Sequence, residues 1–196
     1  SFEPLTEQDW LQMASRGLRL SPCPVSWREL GRLRFVHQRP DGREAEGVLV
    51  VHRDVARELA DVFGALLRLG FPIAQALPIE AFDGDDDRSM AANNTSAFNC
   101  RAKVPSPRPD GTLPEPEFSL HSFGRTLDLN PAENPFVRLR PGDVAASAWL
   151  EFSEGWPEER LSERLLAFAT RYPEACEVAP EGSRPYLDRT PRGGVI

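Results

Sequence analysis

Proline and glycine constrain the fold of this chain more than any other feature of its sequence. The 196 residues include 19 prolines and 14 glycines, well above the roughly 12% that these two residues reach in an average soluble protein. Proline lacks a backbone donor and interrupts helices and sheets, whereas glycine favours tight turns. The composition therefore disfavours a pure helical bundle, and with 40% hydrophobic residues we expect a loop-rich α+β domain.

The hydrophobic pattern of the first third of the chain predicts a β-hairpin followed by a helix. Residues 33–37 and 47–52 have the composition of strands, and a Pro-Asp-Gly turn at 40–42 lies between them. Residues 54–69 then show apolar side chains at helical spacing and end at a glycine. We therefore expect a central, mainly antiparallel sheet with flanking helices.

The remaining elements are expected from turn residues and apolar spacing. Thr6 is the expected N-cap of a short helix within residues 2–19. Further expectations, in chain order, are a strand over 74–82, an acidic turn over 83–87, a surface loop over 105–116 and a helix within 157–172. The length suits one domain, so we expect residues 1–196 to form a single domain in which 138–184 is an insertion-like segment.

The net charge of the chain excludes two classes of partner. With 30 acidic and 23 basic residues, the formal net charge is −7, which opposes binding to nucleic acid or to an anionic membrane surface. No apolar stretch approaches the roughly 20 residues of a membrane-spanning helix. The N-terminus lacks the basic and apolar regions of a signal peptide, so we expect a chain that is either not exported or already trimmed. The sequence indicates no oligomeric state.

Three cysteines, Cys23, Cys100 and Cys176, leave the redox compartment open. Since no C-x-x-C occurs, zinc ribbons and thioredoxin-type motifs are excluded. The cysteines are either three free or buried thiols, or one disulfide and an odd thiol in an oxidising compartment. The sequence also lacks G-x-S-x-G, H-E-x-x-H, a P-loop and G-x-G-x-x-G, which excludes the enzyme classes that carry these motifs.

Histidines and clustered carboxylates are the candidates for chemistry. His37 and His52 flank the predicted hairpin, and we expect partly exposed side chains at the strand ends. The three aspartates at 85–87 lack the spacing of a calcium loop, so we expect a solvated turn. His121 precedes Asp128 by seven residues, and an imidazole and a carboxylate are two of the three protein ligands that a catalytic zinc commonly uses.

The segment around His121 resembles a family of bacterial cell-wall enzymes. Its pattern Ser119-x-His121-x-x-Gly124-x-x-x-Asp128 is similar to the S-x-H-x-x-G-x-A-x-D motif of the zinc D-Ala-D-Ala carboxypeptidases and L-alanyl-D-glutamate peptidases, whose fold is shared by the N-terminal hedgehog domain. Thr126 stands where the family has a small Ala or Ile. Further stretches resemble the D-alanyl-D-alanine carboxypeptidase-like branch in the same order: 23–25, 71–73, 89–90, 93–101, 128–131, 134–137 and 186–189.

The resemblance implies roles for five residues. His121 and Asp128 are implied to bind Zn²⁺. Arg101 is implied to stabilise an anionic intermediate or to bind the substrate carboxylate, for which a guanidinium is suited. Ser119 and Ser96 are implied to contact the substrate. The alternatives from the residues alone are a structural salt bridge for Arg101 and a turn position for Ser119.

The same resemblance implies a reaction and a location. The reaction is zinc-dependent hydrolysis of a peptide bond next to a D-amino acid in the stem peptides of peptidoglycan. The site of action is extracytoplasmic, meaning secreted, periplasmic or associated with the cell wall. In that compartment a Cys23–Cys100 disulfide with Cys176 left over becomes the expected arrangement.

The chain departs from the family in its C-terminal part. The family's third zinc ligand and general base lie in an Asp/Glu-x-x-His segment, but no histidine follows His121 here. We expect first that the chain is a fragment. The alternatives are an inactive relative that keeps the peptide groove, or a carboxylate from 138–184 that replaces the ligand. The candidate replacements are Glu154, Glu158, Glu159, Glu163 and Glu174, with His37 and His52 as further candidates.

Two further classes of function remain open from the sequence. One is a non-catalytic module of the same fold that binds wall peptide or zinc. The other is an interaction domain that keeps the motifs but binds no metal. Turnover separates a peptidase from both, because only a peptidase has an activity that a His121 substitution removes.

Overall fold

An antiparallel β-hairpin forms the centre of the first part of the chain. In the computed structural model, which describes residues 1–102 and 117–187, strand β2 (Leu30–Gln38) pairs with strand β3 (Glu44–His52). A short strand β1 (Phe2–Pro4) pairs with the other edge of β2, also antiparallel, so the sheet order is β1-β2-β3. The predicted hairpin and the mainly antiparallel sheet are confirmed.

Two helices flank this sheet. Helix α1 (Glu7–Ser15) begins at the predicted N-cap Thr6, whose Oγ1 accepts a hydrogen bond from the backbone N–H of Asp9 at 3.1 Å. The Asp9 carboxylate in turn accepts from the backbone N–H of Thr6 at 2.8 Å, so the cap is reciprocal. Helix α2 (Ala56–Arg68) confirms the helix predicted from apolar spacing. The α+β class is therefore confirmed.

Strand β3 is buried on both faces because successive side chains of a strand point to opposite sides. Val50 packs in one cluster with Met13 of helix α1. Leu49 and Val51 pack in a second cluster with Phe63 of helix α2. The run of apolar residues in β3 therefore contributes to two hydrophobic cores, and the strand that leads towards the candidate site is packed on both faces.

Residues 74–82 do not form the single strand that the sequence predicted. Only β4 (Gln75–Ala76) is a strand, and it pairs in parallel with β5 (Asn94–Thr95). A 3₁₀ turn then spans Ile79–Phe82. Pro78 precedes this turn as its N-cap. Because proline has no N–H for a sheet ladder, the strand, which ends at Ala76, cannot continue through this position.

The aspartates at 85–87 open a helix rather than forming a solvated turn. Helix α3 spans Asp86–Ala91, and Asp85 is its N-cap, with Oδ1 accepting from the backbone N–H of Arg88 at 3.0 Å. Aspartate is favoured at the N-cap and in the first turn because its carboxylate satisfies free N–H groups and the positive end of the helix dipole. The turn itself is limited to residues 83–84.

Both histidines of the hairpin are buried, which corrects the expectation that they are partly exposed. His37 and His52 are 3% and 4% exposed. The ring of His37 lies 6.1 Å from that of Phe35, and a guanidinium nitrogen of Arg125 lies 3.4 Å from the ring of His52. The side chain that lies against His52 at the end of β3 comes from Arg125, far away in the sequence. The local sequence does not reveal such a contact.

Cys23 and Cys100 form a disulfide, with Cα atoms 5.9 Å apart. This confirms the pairing that the resemblance implied, and Cys176 is a free, buried thiol. The bridge joins positions separated by 77 residues, so the segment that ends at Arg101 is tied to the region just before a 3₁₀ turn over Trp27–Glu29.

The chain divides into two units, Ser1–Asn130 and Pro131–Ile196. The predicted insertion-like segment 138–184 lies in the second, and the single-domain organisation stays a prediction. Within the described residues, no helix is long and apolar enough to cross a membrane. The first unit contains all five predicted site residues: Ser96, Arg101, Ser119, His121 and Asp128.

The second unit consists of a small antiparallel sheet and two helices. Strands β6 (Phe136–Leu139) and β7 (Cys176–Ala179) pair with each other. Helices α4 (Asp143–Ser153) and α5 (Leu161–Arg171) lie between them in the sequence, and α5 confirms the helix predicted within 157–172. Phe168 is fully buried in its core. Short 3₁₀ turns span Glu158–Arg160, Pro173–Ala175 and Glu181–Leu187.

Candidate metal-binding site

Ser119 and Gly124 delimit the short 3₁₀ turn that carries His121. The turn spans Leu120–Phe123, and Ser119 is its N-cap, with Oγ accepting from the backbone N–H of His121 at 3.4 Å. Gly124 ends the turn with a φ of 64°, a left-handed conformation that favours glycine. The carbonyl of Gly124 accepts from the backbone N–H of His52 at 2.8 Å. The turn is therefore anchored to the end of strand β3.

The ring of His121 is fixed in one orientation and one tautomer. Its Nδ1 lies 2.7 Å from the carbonyl oxygen of Ala97, and the side chain is only 11% exposed. Because a carbonyl oxygen only accepts hydrogen bonds, Nδ1 must carry the proton and donate it. In a neutral imidazole this leaves Nε2 with a free electron pair.

Asp128 faces that electron pair. Its Oδ2 lies 3.3 Å from Nε2 of His121. The backbone of Asp128 pairs with that of Ser96 in an antiparallel bridge, with N···O distances of 2.9 and 3.1 Å. Since Ala97 follows Ser96, one short segment holds both the backbone of Asp128 and the ring of His121. The structure thus brings together the two metal ligands that the motif predicted.

A neutral His121 and an ionised Asp128 place two hydrogen-bond acceptors face to face. Two electron pairs at 3.3 Å repel each other unless a proton or a metal cation lies between them. An imidazole nitrogen and a carboxylate oxygen are both common zinc ligands. The donor set of this pair therefore fits Zn²⁺.

The electrostatic surroundings alter the acidity of Asp128. Burial raises the pKa of its carboxyl above the ordinary value of 3.8, and this is the largest effect. A positive charge on the ring of His121, when the ring is protonated, lowers that pKa, the charge of Asp86 raises it, and the charge of Arg101 lowers it. Asp128 consequently keeps its proton to a higher pH than an exposed aspartate does.

Arg101 is held by its backbone in the same neighbourhood. Its N–H donates to Oγ of Ser122 at 3.0 Å, and its carbonyl accepts from the backbone N–H of Ser119 at 3.0 Å. The guanidinium Nη2 lies 2.8 Å from Oδ2 of Asp86. With 38% of its side chain exposed, Arg101 offers a permanent positive charge to an anionic ligand.

Asp86 belongs to this site, although the sequence pattern did not single it out. It contacts Arg101, and its charge acts on Asp128. The local signal was an acidic run, which usually marks a solvated surface. Its place in the first turn of helix α3 brings its side chain to the site, and that placement depends on tertiary structure.

The two predicted substrate-contacting serines are both buried. Ser96 and Ser119 are 5% and 6% exposed. Ser96 pairs through its backbone with Asp128, and Ser119 caps the turn that carries His121. Each serine thus supports one member of the predicted metal-ligand pair, while contact of either with a substrate stays a prediction.

A third ligand is not found in the part of the chain that the structure describes. There, no group of three or more His, Cys, Asp or Glu side chains is placed to hold a metal ion. His52 instead lies 3.4 Å from Asp54 and 3.8 Å from Glu29, and His37 contacts the backbone of Gln38. The five glutamate candidates belong to the second unit, and the side chain of Glu158 lies outside the described residues.

Two segments of the sequence analysis also fall outside the described residues. They are the predicted proline-rich loop at 105–116 and the last part of the chain, 188–196.

Comparisons with known protein families, curated proteins and solved structures found no match to this chain. The likeness to the zinc carboxypeptidases therefore rests on the motifs of the sequence.

Proposed function

We propose that this chain belongs to a zinc-dependent peptidase that hydrolyses peptidoglycan stem peptides next to a D-amino acid, as a carboxypeptidase or an endopeptidase. The observation that carries the proposal is the 3.3 Å separation between Nε2 of His121 and Oδ2 of Asp128. The contact with Ala97, which in a neutral imidazole leaves the electron pair on Nε2, lies outside the motif, so it is support independent of the resemblance.

Zinc is the cofactor that suits these residues. Held by His121 and Asp128, it would polarise the scissile carbonyl and lower the pKa of the attacking water. These residues are two of the three protein ligands usual for a catalytic zinc. The third ligand and the general base are assigned to none of the described residues.

Arg101 is the proposed partner of the substrate's negative charge. A guanidinium stays protonated at any physiological pH, and its fork of N–H groups matches a carboxylate or an oxyanion. Arg101 is partly exposed, and its charge acts on Asp128. Its carbonyl accepts from the backbone N–H of Ser119, two residues before His121, which supports a role for Arg101 beside the proposed metal-ligand pair.

The disulfide supports an extracytoplasmic site of action. Disulfides form and persist mainly in oxidising compartments, which include the periplasm and the cell exterior. Cys23 and Cys100 are bridged in the unit that contains the site. Peptidoglycan is found in the same compartments, so location and proposed substrate agree.

A non-catalytic module that binds zinc or wall peptide is the second candidate function. It is favoured by one observation, that the described residues bring together two metal ligands and not three. Such a module would keep Arg101 as an anion-binding residue. It would have no turnover.

The zinc content of the 196-residue chain, purified without chelator and then dialysed, is the first test. We expect a stoichiometry near one zinc per chain, which requires that a residue outside the family pattern supply the third ligand, and a value near zero would contradict a complete zinc site in this chain. The zinc-loaded chain is then incubated with a peptide that ends in D-Ala-D-Ala and with purified peptidoglycan. Released D-alanine or cleaved stem peptides support the peptidase, whereas bound zinc without cleavage supports the second candidate.

A further inference from the structure

The carboxylate of Asp86 connects two residues on either side of the disulfide-bonded Cys100. Its Oδ2 lies 2.8 Å from Nη2 of Arg101, and its Oδ1 accepts from Nδ2 of Asn99 at 3.2 Å. Both carboxylate oxygens are therefore engaged. A carboxylate held at both oxygens fixes the direction of the guanidinium as well as its distance.

The backbone of Arg101 is fixed, but its long side chain can rotate unless a partner holds the guanidinium. Ser122 and Ser119 hold its N–H and its carbonyl, and the neighbouring Cys100 is held by the disulfide. These contacts do not restrict the rotatable bonds of the side chain. The ion pair with Asp86 does restrict them, and it acts at the far end, where the charge is.

The pair is partly shielded from water and is still accessible. The side chains of Arg101 and Asp86 are 38% and 24% exposed, so their attraction is screened less than that of a fully exposed pair. Nε of Arg101 is buried and has no hydrogen-bond partner among residues 1–102 and 117–187. Asp86 therefore leaves part of the hydrogen-bonding capacity of this guanidinium unused.

We propose that Asp86 is a positioning residue for Arg101, an inference that rests on the proposed function of the site. Asp86 holds Nη2 so that the guanidinium meets the carboxylate or oxyanion of a peptide that reacts beside His121 and Asp128. It acts through Arg101 and contacts neither the substrate nor the metal. A peptidase that lacks this contact keeps its zinc and the positive charge of Arg101. Its guanidinium is no longer held in one orientation.

The test compares Asp86→Asn with Asp87→Asn. Asparagine keeps Oδ1 as an acceptor for Asn99 and removes the charge that faces Arg101, and Asp87 is an exposed neighbour in the same helical turn. In Asp86→Asn we expect kcat/KM for a D-Ala-D-Ala peptide to fall on the order of 10- to 100-fold with zinc content unchanged. Asp87→Asn is expected to stay within about twofold of the wild type, as a surface substitution should.

A second measurement does not depend on turnover. Side-chain ¹⁵N NMR reports how fast the guanidinium of Arg101 rotates, with Arg101→Lys identifying its signals. We expect hindered rotation in the wild type and in Asp87→Asn, and faster rotation in Asp86→Asn. In the background Arg101→Ala, Asp86→Asn is expected to cause no further loss of kcat/KM, because residues that act as one unit are not additive.

The outcomes separate this inference from the proposed function. An active wild type whose kcat/KM is the same in Asp86→Asn and Asp87→Asn overturns the positioning role and leaves the peptidase standing. Unchanged guanidinium rotation in Asp86→Asn overturns the role whatever the activity. If the zinc-loaded wild type cleaves nothing, the peptidase fails, and the rotation of Arg101 alone decides whether Asp86 holds it.

Discussion

Nδ1 of His121 donates a hydrogen bond to the carbonyl oxygen of Ala97, a residue 24 positions earlier in the chain, over 2.7 Å. This contact decides which nitrogen of the ring keeps its electron pair, and it directs that pair at Asp128. The backbone segment of Ala97 also pairs with Asp128 through Ser96. Both predicted ligands are therefore oriented by a single extended segment.

His121→Gln is expected to lose zinc. The substitution replaces the imidazole nitrogen that faces Asp128 with an amide group, which is a poor zinc ligand. The loss of affinity should therefore exceed the about 10- to 100-fold that removal of an outer-shell partner costs. His37→Gln is the matched control, because His37 is also buried but contacts Phe35 and Gln38 instead of Asp128. Competition with a chromophoric chelator measures both affinities, and equal affinity in the two variants would contradict the assignment.

Zinc affinity should decrease with falling pH, and the decrease should begin at a higher pH than an ordinary aspartate produces. Burial raises the pKa of Asp128 above 3.8, and zinc requires the ionised carboxylate. The affinity is measured by the same chelator competition as a function of pH. Because an imidazole ligand must also lose a proton to bind zinc, the Asp128 carboxyl is followed separately by ¹³C NMR of the zinc-free protein. A carboxyl that titrates no higher than that of an exposed aspartate would show that the folded protein does not raise this pKa.

Without zinc, the same group makes the folding stability decrease as pH rises. A folded-state pKa above 3.8 means that the native state still holds a proton that the unfolded chain has released. The free energy of unfolding therefore decreases between pH 3.8 and the raised folded-state pKa, since stability falls with pH wherever the native state binds more protons. Carboxyls whose pKa is lowered, such as that of Asp9, contribute the opposite slope to both proteins. Urea unfolding in the presence of chelator should therefore show that the stability of the wild type relative to Asp128→Asn decreases as pH rises above 3.8.

Gly124→Ala should disrupt the turn that carries His121. A Cβ at this position would lie 2.9 Å from the backbone nitrogen of His52 and 2.8 Å from Cδ2 of Leu30, in addition to the strain of a φ of 64°. Gly155 has a φ of 79° and no atom within 4 Å of its Cβ position, so Gly155→Ala carries the strain without the collision. We expect Gly124→Ala to lose zinc and more stability than Gly155→Ala, as measured by elemental analysis and urea unfolding.

The thiols should react in three steps. Burial raises the pKa of the Cys176 thiol, which is the one free cysteine among the described residues, so the native chain is expected to react very slowly with a thiol reagent. Denaturation should expose one thiol, and reduction after denaturation should expose all three cysteines of the sequence. Equal thiol titres with and without reductant would rule out the Cys23–Cys100 bridge.

Phe63→Ala should destabilise the first unit strongly. Phe63 is 2% exposed, and its ring stacks on that of Phe35 with centroids 3.8 Å apart, so its truncation should cost about 3–5 kcal/mol. Leu69, just after helix α2, is 81% exposed, and Leu69→Ala should change the free energy of unfolding by about 0.5 kcal/mol or less. A similar loss in both variants would contradict the packing of α2 on the sheet.

Local patterns in the sequence were enough to predict several elements. Strand-forming residues on either side of a turn predicted the hairpin, apolar side chains at helical spacing predicted helix α2, and Thr6 predicted the start of helix α1. The spacing from Ser119 to Asp128 placed both candidate ligands in one motif. These features are visible because the interactions that produce them join residues close together in the chain.

The tertiary structure decided what those residues meet. It placed Ala97 against His121 and Asp86 against Arg101, and it buried the two hairpin histidines. These outcomes depend on contacts between segments far apart in the chain, and no local spacing or composition encodes the distance at which such segments pack.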